Sequence, residues 1–90
     1  MDLIERIINS KEDFYNVATE YYYNIGQDDK LKQKIINKSI AILIDHLFIP
    51  VPCIEIKIEV HNSIEEKYLG HYILYLNEEK EFLDEFLIFD

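Results

Sequence analysis

Between Ile54 and His61 the chain alternates without exception. Ile54, Ile56, Ile58 and Val60 are apolar, while Glu55, Lys57, Glu59 and His61 are polar. A period of two sends successive side chains to opposite faces of a strand, so this segment buries one face only. The rest of the chain must therefore cover an aliphatic strip four residues long, and the cover has to come from a second layer.

The segment before the strip has helical periodicity. Leu3, Ile4, Ile7 and Ile8 open an apolar stripe that resumes with Phe14, Tyr15, Ala18, Tyr22 and Ile25. Asn9 and Ser10 interrupt it, and Ser10 with Asp13 has capping-box spacing, which marks a kink or a fresh start. Tyr22 lies on the stripe, which leaves Tyr21 and Tyr23 on its flanks. Gly26 stands where a left-handed residue would end the helix. Asp28 and Asp29 suit the start of a second helix, expected over 28–48. Along it Leu31, Ile35, Ile36, Ile40, Leu43, Ile44 and Leu47 recur at three and four, with Lys30, Lys32, Lys34, Asn37 and Lys38 opposite. Pro50 and Pro52 stop it.

After the strip, Asn62 to Lys67 is turn-like, and Tyr68 to Leu76 reads as a second strand with apolar residues in both phases. Asn77 to Lys80 suits a four-residue hairpin loop. Phe86-Leu87-Ile88-Phe89 favours a third strand over the helix that Phe82, Leu83, Phe86 and Leu87 would also allow, with a bulge expected at Asp84-Glu85. The expected architecture is α+β in one domain, 1–90. Two N-terminal helices pack on one face of a three-stranded antiparallel meander.

Charge then narrows the function. The net charge is −9, and eleven of the eighteen acidic residues lie beyond Ile44 against Lys57, Lys67 and Lys80. An acidic domain attracts basic partners and repels nucleic acid and anionic membrane. Cys53 is the single cysteine, which excludes an internal disulfide and suits a reducing cytoplasm. The N-terminus carries acids where a signal peptide needs bases, and the longest apolar run is far too short to span a bilayer. His46, His61 and His71 lack zinc spacing, and Glu78, Glu79, Glu81, Asp84 and Glu85 lack the glycine and alternation of a calcium loop. The pattern therefore points to no enzyme, metal or cofactor.

Two helices cover only one face of a three-stranded sheet. Several of Ile73, Tyr75, Phe82, Phe86 and Ile88 must then face away from them, and an apolar patch on an acidic domain marks an interface. The residues expected to meet a partner are Glu55, Glu59, Ile73, Tyr75, Glu78, Glu79, Glu81, Asp84 and Glu85.

The run from Leu69 through Tyr72, Tyr75, Asn77-Glu78-Glu79-Lys80-Glu81 and Asp84-Glu85-Phe86 resembles a hairpin of small bacterial immunity proteins, which pair with polymorphic toxins, including those of contact-dependent inhibition. The resemblance covers the C-terminal third. It implies a small cytoplasmic protein that neutralises a basic toxin, often a nuclease, by direct binding. The alternatives are a phage-encoded inhibitor of a host nucleic-acid-binding complex and a homo-oligomeric structural or adaptor domain, such as a homodimer, whose outer sheet face pairs with its own copy.

Overall fold

The computed structural model describes residues 2–25 and 33–89. Two helices, α1 (Leu3–Asn9) and α2 (Lys11–Tyr23), precede four strands, β1 (Gln33–Leu43), β2 (Cys53–Asn62), β3 (Tyr68–Leu76) and β4 (Phe82–Phe89). The strands form an antiparallel meander in chain order. The class is the expected α+β, but the sheet has four strands, not three.

The break at Ser10 divides the first apolar stripe into both observed helices. Asp2 caps α1 by accepting from the Glu5 N–H at 2.9 Å. Ser10 makes no side-chain cap bond to α2, so the capping-box expectation fails in detail while the break itself holds. Phe14, Ala18 and Tyr22 are buried, with Tyr21 and Tyr23 to either side. Expectations resting on Gly26, Asp28, Asp29, Lys30, Leu31 and Lys32 lie outside the described residues.

The expected helix over 28–48 is overturned. Gln33–Leu43 is strand β1, and residues 44–52 form a connection. Ile35, Ile36, Ile40 and Ile42 are β-branched, and their χ1 stiffness favours a pleated surface. A bulge hid the period. Asn37 pairs with Ile58 and Ser39 with Lys57, leaving Lys38 as the extra residue. Ile35 and Ile40, five apart, would occupy opposite faces of an unbroken strand. The bulge puts both against the core with Ile42. The resulting spacing imitates a helical stripe.

The core is the helix-facing side of the sheet. Ile54, Ile56, Ile58 and Val60 of β2 pair with Leu76, Leu74, Tyr72 and Gly70 of β3, and all four strip residues are fully buried. Phe14, Ala18 and Tyr22 of α2 close the cluster from above, and Ile7 of α1 joins it. The Tyr22 hydroxyl donates to Gln33 Oε1 at 2.6 Å, tying the end of α2 to the start of β1. Arg6 Nη2 donates to the Glu78 carbonyl at 3.0 Å, tying α1 to the β3–β4 turn. The Cα radius of gyration is 13.6 Å, above the roughly 12 Å of a spherical chain this long, because two thin layers make a slab of 41 × 28 × 19 Å.

β4 resolves the helix-or-strand ambiguity in favour of strand. The irregularity falls at Leu83, where Tyr75 pairs with Asp84 and Leu76 with Phe82, one residue before the expected bulge.

Two substitutions test this packing. A Cβ on Gly70 would overlap the Ile88 carbonyl oxygen and lie 2.8 Å from Phe89 Cα, both backbone atoms of β4. Gly70→Ala should destabilise by about 1–3 kcal/mol in chemical denaturation, the usual cost of overpacking. The Tyr72 hydroxyl is buried with no hydrogen-bond partner among the described residues. Tyr72→Phe should therefore be neutral or stabilising by up to about 1 kcal/mol, since it removes an unsatisfied polar group and keeps the ring.

Candidate functional site

The sheet's outer face divides into two regions. Towards the β2–β3 turn it is polar and internally paired. Lys38 Nζ lies 3.3 Å from Glu59 Oε2, His61 Nε2 lies 3.0 Å from Glu59 Oε1, and the Tyr68 hydroxyl meets His71 Nδ1 at 2.8 Å. The hydrogen bond from His61, with help from Lys38, holds the Glu59 carboxyl below its ordinary range. A shallow concavity of about 210 Å³ lies among Lys38, Lys57, Glu59 and His71.

Towards the other end the outer face carries a second, smaller core. Ile49, Cys53 and Tyr75 are buried there, flanked by Leu43, Ile73 and Leu83. The 44–52 connection folds back so that Ile49 plugs this cluster. His46 shapes the fold-back, its Nδ1 accepting the N–H groups of Phe48 at 3.0 Å and Ile49 at 3.1 Å. The neutral ring therefore carries its proton on Nε2. The imidazole also packs edge-on against Tyr75, with centroids 5.8 Å apart. Tyr75 donates its hydroxyl to Glu55 Oε2 at 2.7 Å, and Lys57 Nζ lies 3.7 Å from Glu55 Oε1.

This anchorage leaves three large apolar side chains pointing into water. Ile44 is 82% exposed, Leu47 89% and Phe48 88%. Scattered exposed apolar residues are ordinary, but three almost fully exposed ones on one short connection with a buried anchor form a knuckle. Because Leu43 pairs with Cys53, and Leu76 with both Ile54 and Phe82, the knuckle and the β3–β4 turn occupy the same end of the sheet. That turn bears Glu78, Glu79 and Glu81, and the knuckle bears Asp45. No lysine or arginine occurs between residues 44 and 56. Lys80 sits on the turn but lies over the Phe14 ring on the helix side, 4.6 Å from its centroid.

The residues expected to meet a partner are thus distributed over three places. Glu55, Glu59, Ile73, Tyr75 and Asp84 belong to the outer face, and Glu78, Glu79 and Glu81 to the turn. Glu85 lies on the helix-facing side of β4, opposite Leu74. Phe82 likewise faces the helices, with its ring 5.4 Å from that of Tyr21. Ile73, Tyr75, Phe86 and Ile88 face away from them, as the sheet geometry demanded. Tyr75 is only 6% exposed, so it is a strut beneath the knuckle and not a free ring. Ile44, Leu47 and Phe48 escaped the sequence reading because their spacing assigned Ile44 and Leu47 to a buried helical face. Pro50 and Pro52 were the available signal of a shaped connection.

Among the described residues no three metal-ligating side chains converge, and no helix is long and apolar enough to cross a membrane. Burial and the neighbouring Glu55 carboxylate push the Cys53 thiol up, which suppresses the thiolate a nucleophile needs. No family model, curated protein or solved structure matches the chain.

The buried phenols give the domain an alkaline limit. Burial raises Tyr72 well above its ordinary value of 10.0, with smaller contributions from Glu85 and Tyr21. Burial raises Tyr75 similarly, aided by Glu55. Below pH 10 both phenols are neutral folded or unfolded, so stability is full. Above it the unfolded chain ionises first, and stability falls as pH rises towards the folded values. Denaturant midpoints should decline from about pH 10 upward, and Tyr72→Phe should flatten that decline; an unchanged slope would show that Tyr72 is not the group responsible.

Proposed function

We propose that this protein is a binding inhibitor of a basic protein, acting as an immunity protein that neutralises a toxin domain, with a nuclease as the favoured target. The observation that carries this reading is the apolar knuckle set at the acidic end of the sheet. Acidic groups steer a basic partner into encounter, and desolvated apolar groups hold it afterwards. A nuclease cleft is lined with cations that grip phosphate, so a body with clustered carboxylates repeats the charge of the substrate and obstructs its entry. The anchored form of the knuckle supports the same reading. Ile49, His46 and Tyr75 fix the connection before binding, so little ordering entropy remains to be lost in the complex.

The assignment differs in one respect from the expectation raised by the sequence. The apolar anchor is Leu47 and Phe48, with Ile44 beside them, and Tyr75 supports it from below. Glu78, Glu79 and Glu81 keep their steering role.

The experiment is a pull-down from the native host with identification of the captured protein, followed by association and dissociation rates across a salt series. Joint replacement of Glu78, Glu79 and Glu81 by lysine should leave folding nearly unchanged, within about 0.5 kcal/mol per exposed site. It should slow association and flatten its salt dependence. Phe48→Ala should leave the association rate intact and raise the dissociation rate by more than about tenfold, the effect of truncating an aromatic hot spot. Wild-type kinetics in both variants would sink the proposal.

A further inference from the structure

Within the described sheet the two edge strands are built differently. β1 carries the devices that keep an edge from pairing, namely Lys34, Asn37 and Lys38 with a bulge at Lys38. β4 has none along its last four residues, Phe86-Leu87-Ile88-Phe89, which are uncharged and regularly paired to β3 on the other side. β4 is also half-exposed on both faces. Phe82 and Phe89 on the helix side are 43% and 44% exposed, and Phe86 and Ile88 on the outer side 46% and 44%. α2 packs mainly over β2, β3 and β1, and meets β4 where Tyr21 lies against Phe82 near the strand's start. A regular apolar edge strand, half-exposed on both faces, is a template for another strand.

We propose that a second copy of this chain occupies that edge, β4 pairing antiparallel with its two-fold mate to make one continuous eight-stranded sheet. The sequence of β4 admits a two-fold register centred on Phe86. Phe86 then opposes Phe86 of the mate, Asp84 opposes Ile88, and Glu85 opposes Leu87. No carboxylate meets another, and directly opposed residues share a face, as antiparallel pairing requires. The outer side gains a Phe86 pair already braced by the edge-on Tyr75 rings, 5.9 Å from each Phe86 within its own chain.

The net charge of −9 per copy does not prevent this, because of where the charge lies. The acidic turn precedes β4, so antiparallel pairing sends the two turns to opposite ends of the shared ladder. An eight-residue strand spans about 26 Å, several Debye lengths of about 8 Å at physiological salt. A basic strand from another protein fits the edge less well, since its cations would find carboxylates only at Asp84 and Glu85, on opposite faces. The knuckle lies on the connection between β1 and β2 and stays free in the paired form, so this inference stands apart from the inhibitor reading.

The test is sedimentation equilibrium of the purified chain, with thermal unfolding to confirm that each variant is folded. Wild type should form dimers in the micromolar range. Phe86→Lys places two ammonium groups opposite each other and should weaken the dimer by more than about tenfold. Ile88→Lys, an equal insult to apolarity two residues away, instead faces Asp84 of the mate and should retain the dimer. Ile36→Lys on β1 should have no effect. A wild type that stays monomeric at submillimolar concentration overturns the proposal. So does a dimer indifferent to Phe86→Lys, or one that Ile88→Lys weakens as much as Phe86→Lys does.

Discussion

Everything in this fold hangs on one contact, the aliphatic strip of β2 and β3 against Phe14, Ala18 and Tyr22 of α2. The helices cannot stand alone: α1 has seven residues and α2 thirteen, near or below the length at which an isolated helix is marginal in water. A sheet with one greasy face is equally unsatisfied. Each fully buried aliphatic side chain contributes about 1.5–3 kcal/mol, and the strip offers enough of them to fix the two layers against each other. The hydrogen bonds from Tyr22 to Gln33 and from Arg6 to Glu78 then set where each end of the helical layer sits.

With the helices committed to one side, the opposite face had to be handled by the strands and their connections. It is handled in two ways. Over β1, β2 and the start of β3, polar side chains pair with each other and keep that half wet. At the other end the 44–52 connection supplies its own small lid, in which Ile49 over Cys53 and Tyr75 completes a satellite core. The knuckle is a consequence of that lid. A nine-residue connection drawn down at Ile49 and pinned by His46 leaves Ile44, Leu47 and Phe48 almost wholly outside. They belong to neither core, and the proposed binding function rests on them.

The bulge at Lys38 illustrates how one backbone feature can serve two ends. It realigns Ile35 with Ile40 and Ile42 on the core side, and it places a lysine at the sheet's edge. β4 has its one irregularity at Leu83, next to the turn, and its last four residues are regularly paired and uncharged. The two edges of this small sheet are therefore unequal in the property that governs strand addition.

The sequence by itself determined β2, β3, the break in the first helical stripe and the acidic imbalance, and it favoured a strand over a helix for the last segment. In each case the information is local: strict alternation, a 3.6-residue stripe broken at Ser10, a polar turn between branched runs. It also required that several of Ile73, Tyr75, Phe82, Phe86 and Ile88 face away from the helices, because two helices cover one face only; all but Phe82 do. Tertiary structure decided what local pattern could not. Gln33–Leu43 is strand because β2 offers it a ladder and the bulge restores its phase, whereas its isoleucine spacing in isolation suits a helix equally well. The exposure of Ile44, Leu47 and Phe48 likewise follows from Ile49 being buried against residues far along the chain. Periodicity assumes that apolar side chains seek the interior, so it cannot register the ones that a fold holds outside.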